Sequence, residues 1–124
     1  MNKDLIVLQR NSKAVCVIVK TDEYKLLSPI VSMEAGVSDS FLNEVPFANK
    51  LNNKCKGHEI CYFVIKNIDK IDKPQQDRFI RLVKDREYNG YNLPSNCIIV
   101  FTVENEKSLK DVSSEIYRFA VIDM

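Results

Sequence analysis

The sequence predicts an α/β fold: a small, mainly parallel sheet with flanking helices. Three observations lead there. First, "AVCVIVK" (14–20), "YFVIK" (62–66) and "CIIVFTV" (97–103) are nearly continuous in Val, Ile, Cys and Phe. Such runs mark strands buried on both faces, as in a parallel sheet covered by helices. Second, Phe79, Leu82 and Val83 stand at i, i+3 and i+4 between two of these runs, which is one face of a helix. Strands alternating with helices favour parallel pairing. Third, 124 residues, 45% hydrophobic and 28% charged, suit one globular domain around one core.

The elements follow in chain order. Residues 5–8 form a short apolar strand, and 14–20 the next. Only "RNSK" joins them, so the pair is expected to be an antiparallel hairpin, because a parallel crossover needs about a dozen residues or more. Residues 21–59 carry weaker signals; "SDSFLNEV" opens a helix capped by Ser38 or Asp39. After the 62–66 strand, "DKPQQDRFIRLVKDREY" reads as a helix with Asp72 as N-cap and Pro74 in its first turn. Asn89-Gly90 is a tight-turn signal, and Pro94 forbids a helix there. "ENEKSLKDVSSEIYRF" holds a second, shorter helix near 108–112, and "RFAVIDM" (118–124) is the last strand.

Composition excludes several classes. A net charge of +1 gives no general argument for nucleic-acid or membrane binding. No apolar stretch nears the ~20 residues of a membrane span. The opening "MNKDLIVLQRNSK" lacks the long apolar centre of a signal peptide, so a cytoplasmic location is expected. Cys16, Cys61 and Cys97 fall inside apolar runs, where a thiol behaves as a small hydrophobe, and reduced thiols are expected throughout. "CKGHEIC" spaces Cys55, His58 and Cys61 by three. A zinc site needs a fourth ligand and usually a second tight pair, and neither is visible. A loop followed by a buried strand cysteine is expected instead, with no metal. His58 also lacks a nucleophile set that would suggest another kind of enzyme.

Ligands of parallel sheets bind beyond the carboxyl ends of the strands, which draws attention to Lys66-Asn67 and Glu104-Asn105. The series "CYFVIKNIDKIDKPQQDRFIRLVKDREYNGYNLPSNCIIVFTVEN" (61–105) surrounds both pairs. It resembles the middle of an AAA+ ATPase, most closely the MoxR-like and dynein-related branch. In that family an apolar strand ends in the Asp-Glu of Walker B. A helix, a small hairpin, a Leu-Pro step and a sensor strand ending in a polar residue follow. Here Gln76, Phe79, Leu82 and Arg86 fit the helix, "YNGYNLP" the hairpin and step, and "IIVFTVEN" the sensor strand. "SSEIYRFAVID" resembles the segment where an Arg-Phe pair precedes a short strand, and "YKLLSPIV" faintly resembles the segment after the second strand. The good match covers 61–123. It implies a reduced and rearranged P-loop NTPase-like core, with the P-loop strand lying between the sensor strand and the last strand.

The departures decide what function the resemblance implies. A P-loop has the form G-x-x-x-x-G-K-[ST], because backbone amides must wrap the phosphates. Gly36, Gly57 and Gly90 are the glycines of this chain, and none stands in that pattern. The nearest echo, "LQRNSKAV" with Lys13, has no glycine. At Walker B the match puts Lys66 in place of the magnesium-side Asp and Asn67 in place of the catalytic Glu. An ammonium repels Mg²⁺, and an amide cannot take a proton from water. Asp69 and Asp72 follow and are expected to cap helices or stay solvated rather than substitute. The sensor position falls on Glu104 or Asn105, and Arg118 falls in the arginine-finger region.

The expectation is therefore a non-catalytic AAA+-like protein-interaction or assembly module, without a cofactor and unable to hydrolyse ATP. The hairpin leaves an open sheet edge, so a protein partner or homo-oligomer is expected, and no membrane. The alternative is a nucleic-acid-associated module of replication or a mobile element, since some clamp-loader subunits with a similar core lack catalysis. Arg78, Arg81 and Arg86, with Tyr88 and Tyr91, would then contact a single strand by charge and stacking. Asp77, Asp85 and Glu87 interleave with those arginines and dilute their field.

Overall fold

Apolar β-branched runs become the inner strands, and shorter, more polar ones become the edges. The computed structural model describes residues 16–36, 45–88 and 91–123. Its strands are β1 (Cys16–Lys20), β2 (Ile30–Glu34), β3 (Cys61–Lys66), β4 (Glu87–Tyr88), β5 (Tyr91–Asn92), β6 (Cys97–Val103) and β7 (Val121–Asp123). Five of them form one sheet in the order β2-β3-β6-β1-β7, and every pairing in it is parallel. β4 and β5 make a separate antiparallel ribbon, while the expected tight turn at Asn89-Gly90 lies outside the described residues. The small, mainly parallel α/β architecture is thus the observed one.

Period-two alternation divides the core between the two faces of the sheet. Cys16, Ile18, Phe63, Ile65, Ile99 and Phe101 share one cluster with side chains of the helices. These helices are α1 (Val45–Cys55), α2 (Lys73–Gln76), α3 (Ile80–Asp85) and α4 (Ser114–Phe119). Leu51, Phe79, Leu82 and Ile116 carry the helical side of that cluster, and Phe79 meets Phe101 edge-on with ring centroids 6.2 Å apart. Val17, Val19, Val64, Ile98 and Val100 fill the other face, joined by Leu27 and Tyr24 from the segment after β1. Among the described residues, the α-helices pack on one face, and a short segment without an α-helix packs on the other.

That segment corrects two expectations. Residues 21–29 carry the chain from β1 to β2, past β6 and β3, with no α-helix and only a 3-10 turn at Glu23–Leu26. A parallel connection is therefore made in fewer residues than a helical crossover takes, because an extended chain rising about 3.3 Å per residue can cross the sheet diagonally. The hairpin of 14–20 with residues 5–8 is also overturned. β1 pairs with β6 along one side and with β7 along the other, so over Val17–Val19 no ladder side is left for an antiparallel neighbour. Residues 5–8 themselves lie outside the described residues.

Helix boundaries follow their caps. Asp72 accepts from the Gln75 N–H at 2.9 Å, and Gln75 Oε1 accepts from the Asp72 N–H at 3.4 Å, a capping box with Pro74 in the first turn. The single helix expected after it is three pieces: α2, a 3-10 turn at Asp77–Phe79, and α3. The helix expected near 108–112 is a 3-10 stretch, Glu106–Asp111, capped by Asn105; α4 starts only after the extended residue Val112. β2 and α1 arise in the stretch that carried weak signals, and α1 ends before Gly57, whose φ of +80° suits glycine. Ser38 and Asp39 lie outside the described residues. No described helix is long and apolar enough to cross a membrane.

Candidate functional site

Parallel pairing brings the carboxyl ends of β1, β2, β3 and β6 to one rim, and Lys66, Asn67, Glu104 and Asn105 follow from there. Glu34 and Lys66 are register partners on β2 and β3, and their charged atoms lie 3.3 Å apart. The Lys66 ammonium also lies 5.9 Å from the centroid of the Tyr24 ring. Asn67 adopts the left-handed conformation (φ 62°, ψ 46°), which asparagine tolerates better than most residues. Its backbone N–H donates to Thr102 Oγ1 at 2.9 Å, and its side-chain amide donates to Glu34 at 3.0 Å. The Thr21 hydroxyl donates to the Val103 carbonyl at 3.0 Å, with Asn67 Oδ1 3.5 Å away.

A second set closes the rim beside β6. Glu104 accepts from Lys70 at 2.7 Å, and its backbone N–H donates to Asp69 at 3.2 Å. The Lys70 partner pulls the Glu104 carboxyl below its usual range, and Glu104 raises the Lys70 ammonium in return. Asp69 is not solvated as expected: its side chain is only 2% exposed, and Oδ1 has no hydrogen-bond partner. Asn105 caps the following 3-10 stretch by accepting from the Ser108 N–H at 3.2 Å. The rim residues therefore hold one another. Glu34 neutralises Lys66 and accepts a hydrogen bond from the Asn67 side-chain amide, while Glu104 is held by Lys70.

The other singled-out residues are placed apart from this rim. Arg86 caps α3 in the left-handed conformation (φ 55°) and turns inward, donating to the Pro94 carbonyl at 2.9 Å and the Cys97 carbonyl at 2.7 Å. Arg78 donates to the Ala35 carbonyl and stacks over Phe79 at 4.8 Å. Arg81 lies 3.9 Å from Asp85 and 3.7 Å from Glu87. Tyr91 packs against the core, and its backbone pairs with that of Tyr88. Arg118 is exposed on α4 and lies 5.8 Å from the Phe119 ring. Lys13 lies outside the described residues.

The cysteines differ from expectation. Cys55 and Cys61 are disulfide-bonded rather than reduced, and Cys55 ends a helix rather than sitting in a loop. His58 is exposed, and the third sulfur near the pair is that of Cys97. Register explains the difference: Cys61 and Cys97 open β3 and β6 and stand side by side. Linear spacing favoured the histidine and could not show this pairing. Glu34, Thr21, Thr102 and Tyr24 were likewise missed as rim residues. Glu34 ends a strand that carried little signal, and Thr102 sits inside an apolar run.

The rim is a surface arrangement, so its ion pair contributes little to stability. Lys66→Ala is expected to cost less than ~1 kcal/mol, because an exposed or half-exposed pair gains little over solvation. A thermal melt followed by circular dichroism checks this; a loss of several kcal/mol would make Lys66 a structural residue.

No family model matches this chain, and no curated protein matches it.

Proposed function

We propose that this chain is a non-catalytic relative of the AAA+ ATPases that acts through protein interaction or assembly and does not hydrolyse ATP. The observation that carries the reading is the segment after β1. The AAA+ resemblance implies a P-loop strand between the sensor strand and the last strand, and β1 lies between β6 and β7. β1 is followed by "TDEYKLL" (21–27), which has no glycine to wrap a phosphate. It contributes no α-helix whose N-terminus could face an anion, and it puts the carboxylates Asp22 and Glu23 just after the strand. Tyr24 from this segment lies near the Lys66 ammonium, which is itself bonded to Glu34.

Two things follow chemically. The β3 end presents an ammonium and an amide already bonded to protein groups, and neither can replace a carboxylate in holding magnesium or accepting a proton from water. The residues of the α4–β7 edge, exposed Tyr117, Arg118 and Val121, remain for a partner. The nucleic-acid reading gains nothing from the arginines it relies on. Arg86 and Arg78 bond backbone carbonyls, and Arg81 lies between two acids.

The test is phosphate release from ATP with magnesium, measured against buffer alone. The expected rate is background. Turnover that survives further purification and falls in an Asp69→Asn variant would overturn the reading.

A further inference from the structure

Opposite the closed rim, the amino end of the sheet gathers three cysteines that the proposed function does not use. The sulfurs of Cys55, Cys61 and Cys97 all lie within 4.8 Å of one another, and the three residues are at most 1% exposed. Cys55 and Cys61 are joined as a disulfide, and the Cys97 sulfur lies within 4.8 Å of both. A metal bonded to three sulfurs at about 2.3 Å in a trigonal plane holds them about 4 Å apart, so reduction and a small separation of that pair would bring all three within reach of one ion.

The backbone around this triangle is fixed by polar groups. Asn96 donates its side-chain amide to the Cys55 carbonyl at 2.8 Å and the His58 carbonyl at 2.9 Å, and its own carbonyl accepts from the Cys61 N–H at 3.0 Å. Cys97 is held from both sides: its N–H donates to Pro94 O at 3.0 Å, and its carbonyl accepts from Arg86 at 2.7 Å. Outer hydrogen bonds of this kind orient metal ligands. A backbone N–H of Phe63 and the nearby Arg86 guanidinium favour a Cys97 thiolate, although burial outweighs them and pushes the thiol up to about 12. Arg86 Nη1 is buried without a hydrogen-bond partner, so a positive group near Cys97 has donor capacity to spare.

We propose that Cys55, Cys61 and Cys97, when reduced, form a three-thiolate site for a soft d¹⁰ cation, monovalent copper foremost. Coordination number selects the ion. The described cluster offers three ligand atoms, all sulfur; structural zinc takes four ligands, whereas thiolates suit monovalent copper. Three thiolates around one Cu⁺ leave a net charge of −2 in apolar surroundings, and Arg86 supplies a compensating cation. Loading begins with reduction of the Cys55–Cys61 disulfide: two electrons from a phosphine, which becomes its oxide with oxygen from water, and two protons yield two thiols. Each of the three thiols then loses its proton as its sulfur bonds the metal. Binding therefore weakens as pH falls.

The test uses the full chain, reduced with a phosphine under anaerobic conditions and titrated with Cu(I) held by the chelator bathocuproine disulfonate. The expected result is transfer of one copper per chain, with an X-ray absorption spectrum showing three sulfur neighbours. Uptake should persist in Cys16→Ala, since Cys16 lies outside the triangle, and weaken by about tenfold or more in Cys97→Ser. Copper that stays with the chelator, or that binds the native chain through two sulfurs, overturns the proposal. The sulfur count on the native chain decides even if Cys97→Ser does not fold.

Discussion

Val64→Asp is expected to leave the chain unfolded at room temperature. Val64 is 0% exposed, lies in β3 between Ser32 of β2 and Val100 of β6, and packs with Val17 and Val100 on the face opposite the helices. The residues around it are apolar or aromatic, so a carboxylate there would be buried among hydrophobic side chains. An unpaired charge in such a place costs several kcal/mol even after it neutralises by taking up a proton, against a total stability of ~5–15 kcal/mol for a domain. Far-ultraviolet circular dichroism and a urea titration measure the effect. A cooperative transition close to that of the native chain would mean that β3 is not an inner strand.

Gln76→Leu is expected to show the second-largest loss, roughly 3–5 kcal/mol. Gln76 is 0% exposed and joins three segments of the chain. The two N–H groups of its Nε2 are shared among the carbonyls of Ile68 at 3.1 Å, Ile71 at 3.2 Å and Asp111 at 2.7 Å, and its Oε1 accepts from the Ser113 N–H at 2.6 Å. The turn after β3, the 3-10 stretch after β6 and the start of α4 are therefore tied to one side chain. Leucine keeps most of the volume and removes every bond, leaving three carbonyls and an N–H without this partner in the interior. Linear extrapolation of urea unfolding reads the change. A loss under 1 kcal/mol would show that the connections hold without this glutamine.

These two residues show what a single sequence reveals. β3 and β6 were legible because an inner parallel strand must be apolar on both faces, and "CYFVIK" and "CIIVFTV" carry that mark. β2 was not, because "IVSME" lies at an edge and alternates buried with exposed residues. The Asp72 cap was legible because an N-cap and its glutamine partner are local. The role of Gln76 was not: it fitted a helix pattern, while its partners come from residues distant in sequence. The rim was half legible. Lys66 and Asn67 stand where an apolar run meets polar residues, but Glu34 and Thr102 reach them only through strand pairing. The three-cysteine cluster rests on the register of β3 against β6, which no spacing rule contains.

The measurement that tests the central claim most directly is an equilibrium titration with fluorescent ATP and ADP, with and without magnesium. The rim at the end of β3 is already bonded to protein groups, and the segment after β1 offers acids instead of glycines. The account predicts no saturable binding of either nucleotide up to millimolar concentration. Micromolar, magnesium-dependent binding weakened by Lys66→Ala would contradict it, because a phosphate site would then exist where the chain is read as having closed one.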